Sequence, residues 1–205
     1  MDLGIWIVLL LLLLLLVVIA VVVLYNALVR ARNAMRQARH GIEVALTQRH
    51  DLLTKQMQVV PAAVQAETAF QERVLEMRRA QPVEQMSVPQ LEEADRAMDR
   101  AQSAVNVTAE AYPELRANAS FVELQKSAAY TEEQLSAARR SYNAAVARLD
   151  DRREMFPSNL VAAVFGFGTE PMFRASETER ADVDLSGLAD PTGGDAGRAR
   201  PASLP

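Results

Sequence analysis

Cysteine is absent from this chain. That excludes a disulfide scaffold, thiolate catalysis and Cys-ligated zinc or iron–sulfur sites. Histidine is nearly absent, with only His40 and His50. Glycine is scarce where it matters, because Gly41 is the only one between Gly4 and Gly166. So little glycine leaves almost no room for phosphate-cradling loops or tight hairpins, which argues against nucleotide-binding folds. Apolar-polar alternation long enough for a strand is also missing. What remains is a 205-residue chain, half of it hydrophobic, with the hydrophobicity concentrated at one end.

Residues 3–24 carry no charge, and Leu9 to Leu16 are eight consecutive leucines. As a helix this run spans about 33 Å, enough for a bilayer core of about 30 Å. Trp6 and Tyr25 lie near its two ends, where amphipathic rings favour the headgroup zone. No Lys or Arg precedes the run and no small-x-small site closes it, so it reads as a retained anchor rather than a cleaved leader. Arg30, Arg32, Arg36 and Arg39 follow with no acid before Glu43. The positive-inside rule then predicts a single-pass protein of the cell (inner) membrane, N-terminus outside and the rest in the cytoplasm. The same arginines also suit anionic headgroups.

Beyond the span, four stretches repeat apolar residues at 3-4 spacing. The first continues from the membrane through Leu28, Ala31, Met35, Ala38, Ile42, Ala45, Leu52 and Val59, and Pro61 ends it. The second covers residues 62–80 with Val64, Phe70, Val74 and Met77 on one side. Residues 82–89 form a connector, and Ser87 with Gln90 reads as a capping box. The third runs from Leu91 to Tyr112 and stops at Pro113. Ser120 with Glu123 reads as a second capping box, and a fourth helix of about 36 residues (roughly 54 Å) reaches Phe156 before Pro157. The expected fold class is all-α: an N-terminal transmembrane helix followed by an antiparallel bundle of long helices, four-helix and up-down. The expected organisation is residues 3–24 as transmembrane helix, 25–174 as helical bundle and 175–205 as a disordered acidic, Pro- and Gly-containing tail. Residues 160–167 are apolar and are expected to pack on the bundle as a short helix or to touch the bilayer.

The stretch 25–174 is formally neutral, so nucleic acid is not an expected partner. Neither His40 nor His50 has a Glu three residues before it, so the Glu-x-x-His motif of di-iron bundles is missing. His40 with Glu43 is a single i, i+3 pair, and both histidines are expected at the helix surface. There is no G-x-S-x-G, and Gly166-Phe167-Gly168 lacks the Lys and Ser/Thr of a phosphate loop. No catalytic, cofactor-binding or metal-ligating residue is assigned, and no cofactor is expected. Arg49 is the one charge on an apolar stripe. Its burial requires a carboxylate, with Glu110 and Glu132 the first choices. Tyr112, Tyr130 and Tyr142 are expected in the core with polar tips outward.

The motifs, taken in order, resemble the LemA family of bacterial membrane proteins. They are Tyr25-Asn26-Ala27-Leu28-Val29, Arg49-His50-Asp51-Leu52-Leu53, Glu110-Ala111-Tyr112-Pro113-Glu114-Leu115, Phe121-Val122-Glu123-Leu124-Gln125, Thr131-Glu132, Ala138-Arg139-Arg140-Ser141-Tyr142-Asn143 and Phe156-Pro157-Ser158-Asn159. The resemblance covers about residues 5–173. It implies a helical bundle behind one transmembrane helix, in a family without an established activity or accepted catalytic residues, some members of which occur beside membrane-associated proteases. Two departures stand out: Leu53-Thr54-Lys55 where the family usually has Ile-Pro-Asn, and Leu149-Asp150 where a second Tyr-Asn is usual. The expected role is a non-enzymatic interaction or scaffold module, held to the lipid bilayer by residues 3–24, with a membrane or cytoplasmic protein partner. The alternative is an envelope sensor or adaptor that binds between helices and signals to a membrane protein such as a protease.

Overall fold

The computed structural model describes residues 2–65, 68–79 and 83–174. They form helices α1 (Asp2–Val59), α2 (Ala62–Gln65), α3 (Thr68–Arg79), α4 (Val88–Ala111), α5 (Pro113–Ala117), α6 (Ala119–Glu154) and α7 (Ser158–Val164), with a 3-10 turn at Val83–Gln85. No strand occurs among the described residues. The fold is an all-α bundle with one long apolar N-terminal helix. The tail expected over 175–205 lies outside the described residues, as does Pro82 of the expected connector.

The membrane run and the first bundle helix are one continuous α1 of 58 residues. Its apolar part meets nothing: residues 3–19 are exposed along their length, and the helix is long and apolar enough to cross a membrane. From Leu28 onward one face is buried. The buried positions follow Leu28, Met35, Ile42, Leu46, Leu53, Met57 and Val60, whereas Leu52 and Val59, expected from strict 3-4 spacing, are half-buried. The reason is geometric. A straight helix has 3.6 residues per turn and drifts ~20° per heptad from a 3.5 repeat, so the core face rotates along α1.

α6 runs antiparallel to α1. Arg152 donates to the Ala27 carbonyl, Gly41 faces the Ala138 Cβ, and Gln56 donates to the Leu124 carbonyl at 3.2 Å. Each step up α1 is therefore a step back along α6. α4 runs parallel to α1, because Arg39 meets the Met86 carbonyl and Arg49 meets Asp95 and Asp99, at sequence separations of 47, 46 and 50. α3 descends beside α4, tied by Arg100 to Glu76. The four-helix, up-down section thus lies in the half of the bundle away from the apolar run. Nearer that run, α1 and α6 are a pair, buttressed by α7 and by the segment 165–174.

Chain ends of helices explain most of the boundaries. Ser87 caps α4 as expected, its N–H donating to Gln90 Oε1 at 2.7 Å, with Pro89 in the first turn. The second expected box does not form. Asn118 caps α6 instead, its Oδ1 accepting from the N–H groups of Ser120 and Phe121 at 2.9 and 3.3 Å, the bonding that favours Asn at this position. Of the expected helix over 62–80, the described residues are those of α2 and α3, both helical. Pro113 ends α4 by opening α5 as its first residue, where its missing N–H costs nothing. Phe156 lies past the end of α6 and is exposed, not on the core stripe.

Candidate functional site

Among the described residues, a concentration of charge inside the bundle is built on three helices. Arg49 of α1 is 6% exposed and Asp95 of α4 is 2% exposed. Arg49 Nη1 donates to Asp95 Oδ1 at 2.8 Å, and its Nη2 reaches Asp99 Oδ1 at 2.6 Å and Glu132 Oε2 at 3.0 Å. Arg139 of α6, also buried, donates to the second oxygen of Asp95 and approaches Glu132 at 3.9 Å. Its guanidinium also lies over the Phe173 ring, 5.4 Å from the centroid. Among the described residues, two guanidinium groups therefore meet three carboxylates.

The expected pairing of Arg49 is half right. Glu132 is a partner, while Glu110 is exposed and remote. Asp95, Asp99 and Arg139 complete the cluster and were not singled out from the sequence. A signal exists for Asp95 and Arg139, though not for Asp99, which has Asp95 at i−4 and Gln102 at i+3. Arg49 has Ala45 four residues before it and Leu52 three after; Asp95 has Leu91 and Met98 there; Arg139 has Leu135 and Tyr142. At these three positions the apolar residues at i−4 and i+3 mark the buried face of the helix.

Burial pushes the Asp95 carboxyl up to about 6, opposed by Arg139 and Arg49 and reinforced by Asp99 and Glu132. Burial alone lowers the Arg49 pKa, but Glu132, Asp95 and Asp99 together raise it above its ordinary value. Arg49 is thus a permanent cation whose charge is consumed inside the protein. The cluster is closed at Asp95 and open at Asp99 and Glu132, which keep part of their side chains in solvent. Its carboxylates are engaged by arginines, and among the described residues no group of three or more His, Asp or Glu side chains is arranged to hold a metal ion.

The other singled-out residues lie apart. His40 is a surface residue, 3.3 Å from Glu43. His50 is half-buried beside Asp51. Tyr142 is fully buried, and its hydroxyl donates to the Pro171 carbonyl at 2.9 Å. Burial, with Glu170 adding and Arg39 opposing, pushes this phenol up to about 12, so it stays a neutral donor. Asn143 exchanges two 2.8 Å hydrogen bonds with the backbone of Phe173. Tyr142-Asn143 is therefore a clamp that holds segment 165–174 against α6. Tyr112 is half-buried against the core, and Tyr130 is exposed, contrary to its expected core position. At the two departures, Thr54 bonds back to the His50 carbonyl and Lys55 is exposed. Leu149 is core, and Asp150 pairs with Arg153 at 2.7 Å.

The bundle has open cavities at its surface. One of about 410 Å³ lies between α1 and α3, with Met57, Phe70, Met77, Gln58 and Arg78 in its wall. Another of about 500 Å³ lies between α3 and α4, walled by Phe70, Arg73, Asp99, Arg100 and Val107. Neither gathers a set of converging carboxylates or tyrosines.

Two comparisons bear on this geometry. A family model described as the LemA family matches residues 38–186, a stretch holding all five members of the buried cluster. Protein LemA of Metamycoplasma hominis is similar to the chain, 25% identical over 163 residues, which is 80% of this chain and 74% of that relative.

Proposed function

The chain belongs to the LemA family, and from that premise we propose that it is a membrane-anchored, non-enzymatic interaction or scaffold module. The observation that carries this reading is the mutual pairing of the charges in the ion cluster. Arg49, Asp95, Asp99, Glu132 and Arg139 are paired with one another, so each spends its charge on an internal partner. Large apolar side chains stay in solvent on the bundle instead, Leu75 on α3 and Val107 on α4 among them. A protein partner in or near the membrane suits such a surface.

The test is photo-crosslinking in native membranes, with a photoreactive amino acid at Leu75, Val107 or Tyr130 of the full chain. A discrete adduct of one reproducible mass from at least one position is expected. Labels that give only background at all three positions overturn the interaction reading.

The bundle is proposed to lie in the cytoplasm with the N-terminus outside. Four arginines follow the span, and two of them have structural work: Arg32 stacks on the Phe167 ring at 4.9 Å, and Arg39 joins Glu43 and the Met86 carbonyl. Arg30 and Arg36 remain exposed and supply the inward bias. A phosphatase that folds only outside the cytoplasm, fused behind Pro205, is expected to be inactive. An active fusion reverses the orientation.

A further inference from the structure

Residues 155–169 contain no charged side chain. Within them α7 buries Val161 and Ala162 against Leu28 of α1, with Phe167 closing the same small core. Gly166, at φ 67°, turns the chain so that Phe167 tucks back, a conformation that favours glycine. A surface helix ordinarily turns polar residues outward. Here the outward side is also apolar: Phe156 and Val164 are each 79% exposed, and Met155, Leu160 and Phe165 are exposed beside them.

The position of this patch identifies what covers it. Arg152 lies level with Ala27, and the helices are antiparallel. One turn further along, Met155 and Phe156 therefore descend to the level of Leu24 and Val23, the end of the uncharged run. α7 packs on Val21, Leu24, Tyr25 and Val29 of that same stretch, and Tyr25 lies under Phe165 and Phe167, with ring centroids 4.9 and 5.8 Å apart. Tyr25, expected at the headgroups by itself, is thus the floor of a larger aromatic cluster. About 9 Å beyond Leu24 along the helix axis, Arg30, Arg148 and Arg152 surround a cavity of about 240 Å³ otherwise lined by alanines. All three are exposed, and neither Arg30 nor Arg148 has an ion-pair partner among the described residues. An apolar skirt under a cationic belt is the order in which a bilayer presents acyl chains and anionic headgroups.

We propose that residues 155–165 are a second membrane contact, a lipid-embedded foot that beds Phe156, Leu160 and Val164 in the interfacial zone where α1 emerges, beneath the Arg30, Arg148 and Arg152 cluster. With α1 alone the bundle swivels on one helix. With the foot it is held at two points and presents a constant face to a membrane partner. The inference rests on α1 crossing the bilayer, and the experiment checks that separately.

The absence of cysteine makes single-thiol labelling direct. Leu160→Cys and Val164→Cys of the full chain, carrying an environment-sensitive fluorophore, are placed in vesicles of phosphatidylethanolamine and phosphatidylglycerol. Val18→Cys reports the span, and Val107→Cys reports the distal half of the bundle. Acyl-brominated lipid is expected to lower emission at least about twofold at 160 and 164, as at 18, and to leave 107 unchanged. Labels at 160 and 164 that ignore brominated lipid overturn the foot, whether iodide quenches them (open water) or not (a protein occupant). Loss of quenching at 18 as well marks failure of the anchor reading instead.

Discussion

Arg49→Met is expected to lower the stability of the bundle by about 3–5 kcal/mol, because it removes one side of a buried ion cluster and leaves the other. Methionine keeps most of the stem volume, so the loss reports the charge. Wild type opposes two guanidinium groups to three carboxylates. The variant opposes one to three, and Asp95 has no route to water. Urea titrations of the full chain in mild detergent, at low and high salt, measure the effect. A loss of this size that salt barely alters is expected, since buried charges are poorly screened. A loss below about 1 kcal/mol is the figure for a solvated pair and contradicts burial.

The same count makes Asp95→Asn mild by comparison, because two cations then face two anions. It also carries a pH signature. The Asp95 carboxyl sits at about 6 in the folded chain against an ordinary 3.8. The folded state therefore binds the proton more tightly than the unfolded one. The contribution of this group to stability is complete below about pH 4, is lost as pH rises through 6, and is flat above. Its size is about 3 kcal/mol from the displacement. Urea midpoints from pH 4 to 7 should decline for wild type relative to Asp95→Asn. Parallel profiles for the two proteins contradict the assignment.

Tyr142→Ala is the second large effect, expected at about 3–5 kcal/mol from the cavity left by a fully buried aromatic ring. Tyr142→Phe keeps the ring and strands only the Pro171 carbonyl, so it should cost about 1 kcal/mol. The difference between the two separates core packing from the clamp on segment 165–174. Equal losses in denaturant midpoint for both substitutions contradict this division.

Local patterning carries helix identity far. The uncharged run, the four periodic stretches and the proline breaks state an all-α chain with an anchor, because an amphipathic period and a missing N–H act within a few residues. The cap of α6 moved to Asn118 because two polar candidates two residues apart, Asn118 and Ser120, compete to cap the same helix start. The face of α1 rotated because 3-4 spacing is only an approximation to 3.6 residues per turn.

The sequence by itself determined that Arg49 faces inward, since its flanking apolar residues define an angle around the helix. Tertiary structure alone decided its partners. Periodicity fixes angle but not axial register, and register between helices is set by connector length and by the packing of all of them at once. The parallel offset of α4 brings Asp95 and Asp99 to Arg49, while Glu110, eleven residues beyond Asp99, lies about 16 Å further along the same helix. The antiparallel register of α6 likewise brings Met155 and Phe156 down to the end of the apolar run and sets α7 against it. A short uncharged segment reads the same in any part of a fold, and only its height beside α1 sets it at the end of the apolar run.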